Sequence, residues 1–139
     1  MATYTAPEAA TNVQARANID VVGRCVTYTP SVALALNDVI NMIKIPKGAT
    51  ILDGQLSTAD LDSNGTPTIA LSVGDSGSAT RFLSSATTAR SGGMTEFDQP
   101  GGIAYTYAAD DYIQVKVSTA PATWQSGAIT LKVLYTMGQ

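Results

Sequence analysis

Apolar positions in this chain recur mostly with a period of two. Over 112–118, Ile113, Val115 and Val117 alternate with Tyr112, Gln114 and Lys116; over 127–137, Ile129, Leu131, Val133 and Tyr135 alternate with Thr130, Lys132 and Leu134. Successive strand side chains point to opposite faces, so both runs predict strands with one buried face. The same rhythm marks 66–73, where Ile69, Leu71 and Val73 oppose Thr68, Ala70 and Ser72. Further strands are expected at 23–29 and at 103–107, the latter with Ile103, Tyr105 and Tyr107 on one side. Residues 39–45 are nearly solid apolar and lead into Ile45-Pro46-Lys47-Gly48-Ala49. Pro46 fixes its own φ and pushes Ile45 to an extended conformation, while Gly48 turns at little steric cost. With the second run, 49–62, this predicts a strand, tight turn, strand unit central to one sheet. The long closing strand is expected to be central as well. Residues 31–36 read as a strand start or a helical turn, and Arg81-Phe82-Leu83 as an edge strand or a turn of helix. About eight strands closed by Gly, Asp, Asn or Pro, with no βαβ pattern, predict an all-β antiparallel sandwich or barrel.

Two stretches depart from this rhythm. Residues 1–22 are polar at the start and then Ala-, Gln- and Arg-rich, with Ala9, Val13 and Ala17 at helical spacing on a narrow apolar face. A short isolated helix is marginal in water. The segment therefore reads as an arm ordered on a neighbour, or as a frayed terminus, ahead of a domain at 23–139. Its candidate contact residues are Tyr4, Val13, Arg16 and Ile19. Residues 84–101 form a long weakly patterned stretch carrying Arg90, Met94 and Phe97, which a solvated linker would not need. They predict folding back onto the domain or docking on a partner.

Composition narrows the function. A chain of 139 residues makes one domain with a real core. Only 14% of residues are charged, so polar positions are filled by Ser, Thr, Asn and Gln, which suit exposed strand faces or a surface covered by a partner. The net charge is −3, and the eight basic residues are scattered from Arg16 to Lys132. Counterion-release binding needs clustered cations, so direct nucleic-acid binding is not expected. No apolar run approaches the length of a membrane helix, and no secretory pattern opens the chain, so synthesis and folding in the cytoplasm are expected. Cys25 is the lone cysteine and, on a strand, reads as a buried structural thiol.

The chain has no histidine. Ser-His-Asp triads, Cys-His pairs and imidazole metal sites are therefore excluded. Asp60, Asp62, Asn64 and Gly65 match the first half of a calcium loop, but Leu71 stands where the bidentate Glu is needed, so a turn is the expected reading. Asp110-Asp111 and Gly74-Asp75-Ser76-Gly77 read as turns too, and nothing sets Glu96 and Asp98 across one cleft. Trp124 reads as a plug at one end of the sandwich, or, with Tyr105 or Tyr107, as a sugar-stacking platform. No catalytic set, cofactor or metal site is expected.

Taken together, Ile45-Pro46-Lys47-Gly48-Ala49, Asp53-Gly54, Asp60-Leu61-Asp62, Leu71-Ser72-Val73-Gly74-Asp75, Ala104-Tyr105-Thr106-Tyr107 and the closing strand resemble the head decoration, or cement, proteins of tailed bacteriophages. The resemblance spans about residues 39–137 and rests on the order of turns. It implies a jelly-roll-like β-sandwich with a clamping N-terminal arm, often homotrimeric, bound outside the capsid and bridging major capsid protein subunits. It implies a structural virion protein, not an enzyme. The runner-up is a carbohydrate- or receptor-binding module of a phage head fibre or tail.

Overall fold

The computed structural model describes residues 1–10 and 21–137. Among these, nine strands build two sheets: β1 (Thr3–Thr5), β2 (Val21–Tyr28), β3 (Val39–Ile45), β4 (Ala49–Thr58), β5 (Ala70–Gly74), β6 (Leu83–Ala86), β7 (Gly93–Glu96), β8 (Asp111–Thr119) and β9 (Ile129–Met137). The front sheet has the order β1-β3-β8-β5-β6 and the back sheet β2-β9-β4-β7. Ile113, Val115 and Val117 of β8 and Ile129, Leu131, Val133 and Tyr135 of β9 are fully buried, as their alternation predicts. They form the middle of the core between the sheets. Truncating one of them, Leu131→Ala for example, removes about 2–5 kcal/mol.

The antiparallel pairings nest. β2 pairs with β9, β3 with β8, β4 with β7 and β5 with β6. The chain is thus one long hairpin with its tip at 75–82. It is rolled so that β4 also meets β9 and β5 also meets β8. A hairpin rolled into two facing sheets is a jelly roll, which leaves few long open edges. The closing strand β9 is central, as expected, held between β2 and β4.

This topology corrects the 39–62 reading. β3 and β4 have the expected bounds at the turn, and Gly48 takes φ +90°. Yet the two strands do not pair: β3 joins the front sheet and β4 the back. Pro46–Gly48 is a corner between sheets, not a hairpin turn.

Four other expectations change. Residues 103–107 are not a strand. Ala104 has φ +68°, which breaks the extended run, and Thr106 alone forms a bridge, to Thr50. Residues 84–101 are not a loop: they hold most of β6, a 3-10 turn at Thr88–Arg90, and β7. Cys25 is exposed, not buried, because the inward positions of β2 are Val22, Arg24 and Val26. Residues 31–36 form neither strand nor helix.

Residues 1–10 belong to the body. β1 adds to the edge of β3 in parallel, Ala2 and Val39 share a backbone hydrogen bond, and the buried Asp38 carboxylate accepts the Ala2 N–H at 2.8 Å. A 3-10 turn at Pro7–Ala10 follows, with Ala6 and Ala9 fully buried in the core.

Candidate functional site

The chain direction of each strand collects loops at two ends of the sandwich. At one end sit the corner at 46–48, the hairpin tip at 75–82 and the connection 97–110. The hairpin tip and the end of the connection line an open cavity of about 260 Å³, with Asp75, Arg81, Tyr105, Tyr107, Asp110 and Asp111 in its wall. Asp75 is buried and Arg81 binds it through Nε at 2.5 Å and Nη2 at 3.1 Å. Tyr107 donates its hydroxyl to Asp75 at 2.9 Å, and the Gly77 and Ser78 N–H groups donate to the same carboxylate. Burial would raise the Asp75 pKa, but the hydrogen bonds from Arg81 and Tyr107 outweigh it and hold the carboxyl below its ordinary range. Burial, then the Asp75 charge, pushes the Tyr107 phenol well above its ordinary value. Arg81 lies 3.7 Å over the Tyr105 ring, and Tyr105 meets Tyr107 edge-on at 5.0 Å.

This cluster is held, not poised. Asp75 spends its oxygens on a cation, a phenol and two amides, so it neither takes up a proton near neutral pH nor turns toward a ligand. Asp110 accepts the Lys47 N–H at 2.7 Å and Asp111 accepts the Ser76 hydroxyl at 2.7 Å. Both fix one loop to another. The chemistry of the arrangement is that of a latch joining the hairpin tip to the corner.

The opposite end is tied by Asp62. Its carboxylate is 1% exposed and accepts N–H bonds from Thr68, Ile69, Ala122 and Thr123 at 2.8–3.2 Å, and a longer one from Asn64. Burial alone would raise its pKa. The amides of Thr123, Ala122, Thr68 and Ile69 overrule that and hold it far below the usual carboxylate range. Asp60 meanwhile accepts the Asp62 N–H and Asn64 the Thr66 N–H. The oxygens of the calcium-like motif are thus turned onto backbone amides, and 60–65 is a turn. Among the described residues no three metal-ligating side chains gather.

Trp124 packs, half-buried, against the core in this same end and bridges to Asp62. Tyr105 and Tyr107 lie at the other end, one length of β4 away, since Tyr107 bonds to Ala49 while Ala59 bonds to Ala128. The three aromatics do not form one platform.

The candidate contact residues are dispersed. Val13, Arg16 and Ile19 lie outside the described residues. Tyr4 packs from β1 against the core. Arg90 donates to the Ile69 and Thr68 carbonyls at 3.0 and 3.2 Å, strapping the 3-10 turn at Thr88–Arg90 to the start of β5. Phe97 is buried at 8% exposure, stacked on Phe82 with ring centroids 5.0 Å apart. Met94 alone is open, at 67% exposure on β7. The sequence reading missed the Asp75–Arg81 pair. Its one signal is an acid and a base six positions apart across a Gly-Asp-Ser-Gly-Ser turn.

No protein-family model matches the chain, and no curated protein matches it. Its fold does match chains in solved structures. One, from the capsid of Ralstonia phage GP4, is 23% identical over 99% of both chains with a TM-score of 0.88. Another, from the capsid asymmetric unit of cyanophage Pam1, is 30% identical over 92% of this chain and 98% of that one, with a TM-score of 0.74. A third, from the acidic stable capsid structure of Helicobacter pylori bacteriophage KHP30, is 20% identical over 86% and 94%, with a TM-score of 0.62.

Proposed function

Because the chain belongs to the structural proteins of bacteriophage capsids, we propose that it is a decoration protein, bound outside the shell and stabilising it by bridging major capsid protein subunits. The observation that carries this reading is the match of one whole small jelly roll to chains of the same extent in capsid structures, 99% of each chain in one case. A body tied at both ends by buried carboxylates, and pairing its polar groups internally, suits a protein whose task is to hold position.

In this reading the partner is the major capsid protein, the copies associate as a homotrimer, and an N-terminal arm at 1–22, its first ten residues laid on the body, precedes the domain at 23–139. The clamping contacts come from Val13, Arg16 and Ile19 in the arm and from Met94 on β7. Residues 1–10 pack on the body, so the arm is tested by substitution and not by deletion.

The decisive experiment compares particles with and without the protein under heating and low salt. Complete particles are expected to survive both better; equal survival ends the stabilising role. Serine at Val13, Arg16 and Ile19 together should lower occupancy on particles while the unfolding temperature of the free protein stays the same. Undiminished occupancy removes the clamp from the reading.

A further inference from the structure

The outward faces of the two sheets differ in character. The front sheet turns mostly polar side chains outward, Thr3, Thr5, Asn41, Lys44, Gln114 and Lys116, with Val39 and Tyr112 half-buried among them. The back sheet carries an apolar band. Leu134, Leu52, Ile103 and Val21 are 36%, 39%, 41% and 58% exposed. The register makes them neighbours. Gly23 of β2 pairs with Leu134 of β9, which pairs with Asp53 of β4. A bulge between Ile51 and Asp53 leaves Leu52 outward beside Asp53, and the Ala104 N–H bonds the Ile51 carbonyl, which brings Ile103 alongside. A bulge of this kind re-aims side chains at a working surface.

The rest of the face is easy to cover. Two pairs of its hydroxyls already bond to each other, Thr27 with Thr130 at 2.8 Å and Thr50 with Thr106 at 2.7 Å, so removing water from these four costs less than burying them unpaired. Its charges are Lys132, Asp53 and Glu96. Lys132 faces Gln55, with Glu96 next in the row and Asp53 one row away.

We propose that this face is covered by the same face of a second copy, the back sheets stacking about a two-fold axis that runs between β9 and β4, parallel to the strands. Such an axis lays β9 over the partner's β4 and keeps each row in place. Leu134 then meets the partner's Leu52. Gly23, which presents no side chain and lies under Leu134, whose Cδ2 is 3.2 Å from where a Cβ would stand, comes opposite the partner's Ile103. Lys132 comes within reach of the partner's Asp53, so the charges of the face pair across the axis twice. An isologous contact requires a surface complementary to itself, and this one is so in shape and in charge. Met94, which pairs with Ser57, lies at the β7 margin of the same face, so a copy in this pair holds its Met94 over the partner's β2 and not against the shell. The contact leaves the loop ends free and does not depend on the capsid reading or three-fold association.

The face covers on the order of 550 Å² per copy, from four strand spacings and a strand length of about nine residues. The pair just clears the roughly 1,000 Å² that marks a specific contact, so pairing is weak and depends on concentration.

Sedimentation equilibrium of the full chain, up to roughly 1 mM, tests it. The mass is expected to double with concentration, and Leu134→Lys, at an exposed position, is expected to abolish the doubling without lowering the unfolding temperature. A mass that does not rise with concentration overturns the proposal, as does a doubling that Leu134→Lys leaves intact. For the register, C25S/L134C protein is mixed with C25S/L52C protein under oxidising conditions. A mixed disulfide across copies is expected, and its absence while association persists overturns the stacking described.

Discussion

Gly54→Ala is the sharpest probe of where Phe97 belongs. A Cβ built on Gly54 would stand 2.2 Å from Phe97 Cε2, 2.4 Å from Cζ and 2.7 Å from Cδ2. Carbon atoms rest at about 3.5–4.0 Å, so the ring must retreat by more than an ångström. It has nowhere to slide: the Phe97 N–H is bonded to the Gly54 carbonyl at 3.0 Å, and Phe82 backs the ring at 5.0 Å between centroids. If the ring stays, overpacking costs about 1–3 kcal/mol. The strained stack loses up to about 1 kcal/mol more. If the ring swings out, its burial is lost, again about 1.5–3 kcal/mol. Against either stands a gain of about 0.4–1 kcal/mol from a stiffer unfolded chain. The net is a destabilisation of about 2 kcal/mol, or a fall of roughly 6–10 °C in Tm for a domain of this size. Urea unfolding of Gly54→Ala, Phe97→Ala and the double variant measures it. Phe97→Ala alone should cost about 3–5 kcal/mol, and Gly54→Ala should cost nothing further once the ring is gone. A silent Gly54→Ala, or the same cost in both backgrounds, refutes the placement of Phe97 in the core and returns it to the surface as a contact residue.

Tyr107→Phe removes a hydrogen bond to a buried charge and should cost about 1.5–3 kcal/mol at neutral pH by urea unfolding. Because folding raises the Tyr107 pKa, its contribution is full below the unfolded value near 10 and is lost as pH rises above it; wild type should lose stability above about pH 10, and the variant less so. Asp62→Asn keeps one accepting oxygen and turns the other into an NH2 group, which points hydrogens at the two or three amides that oxygen served. Folding lowers the Asp62 pKa, so wild type should lose stability as pH falls below the ordinary carboxylate range, whereas the variant starts lower and shows a shallower acid slope in the same titration. Met94→Ser should change stability by less than about 0.5 kcal/mol, since the side chain is open; a reduced occupancy on particles with unchanged unfolding would mark it as a contact.

Strands with strict alternation were legible. Ile113, Val115 and Val117, and Ile129 to Tyr135, face the core because a period of two leaves no other choice once one face is buried. The partner of each strand was not legible. Pro46–Gly48 has the chemistry of a turn whether the chain returns to its own sheet or steps across to the other. That choice is made by β8 and β9, more than sixty residues away, which claim β3 and β4 for different sheets. Residues 103–107 failed for a local reason invisible in the pattern, since Ala104 adopts a left-handed conformation that its identity does not announce. β1 was hidden by brevity: Thr3–Thr5 is too short and polar to signal a strand, and its order comes from Asp38, which a sequence shows only as one more turn residue.

The buried acids had the same fate, and they show what kind of object this fold makes. Asp62 and Asp75 sit in turns, where an acid is ordinary. Only the fold reveals that each is buried and saturated, and that they stand at opposite ends of β5. Asp62 joins the chain before β5 to the chain after β8; Asp75 joins the hairpin tip to residue 107 ahead of β8. β5 and β8 are paired along their length, so both latches reinforce one ladder from its two ends. Opening either end means breaking several charge-assisted bonds at once, which concentrates the cost of local unfolding where loops normally fray. Both ends are thus tied down, and Val21, Leu52, Met94 and Leu134 leave exposed apolar surface on the flat face of the back sheet.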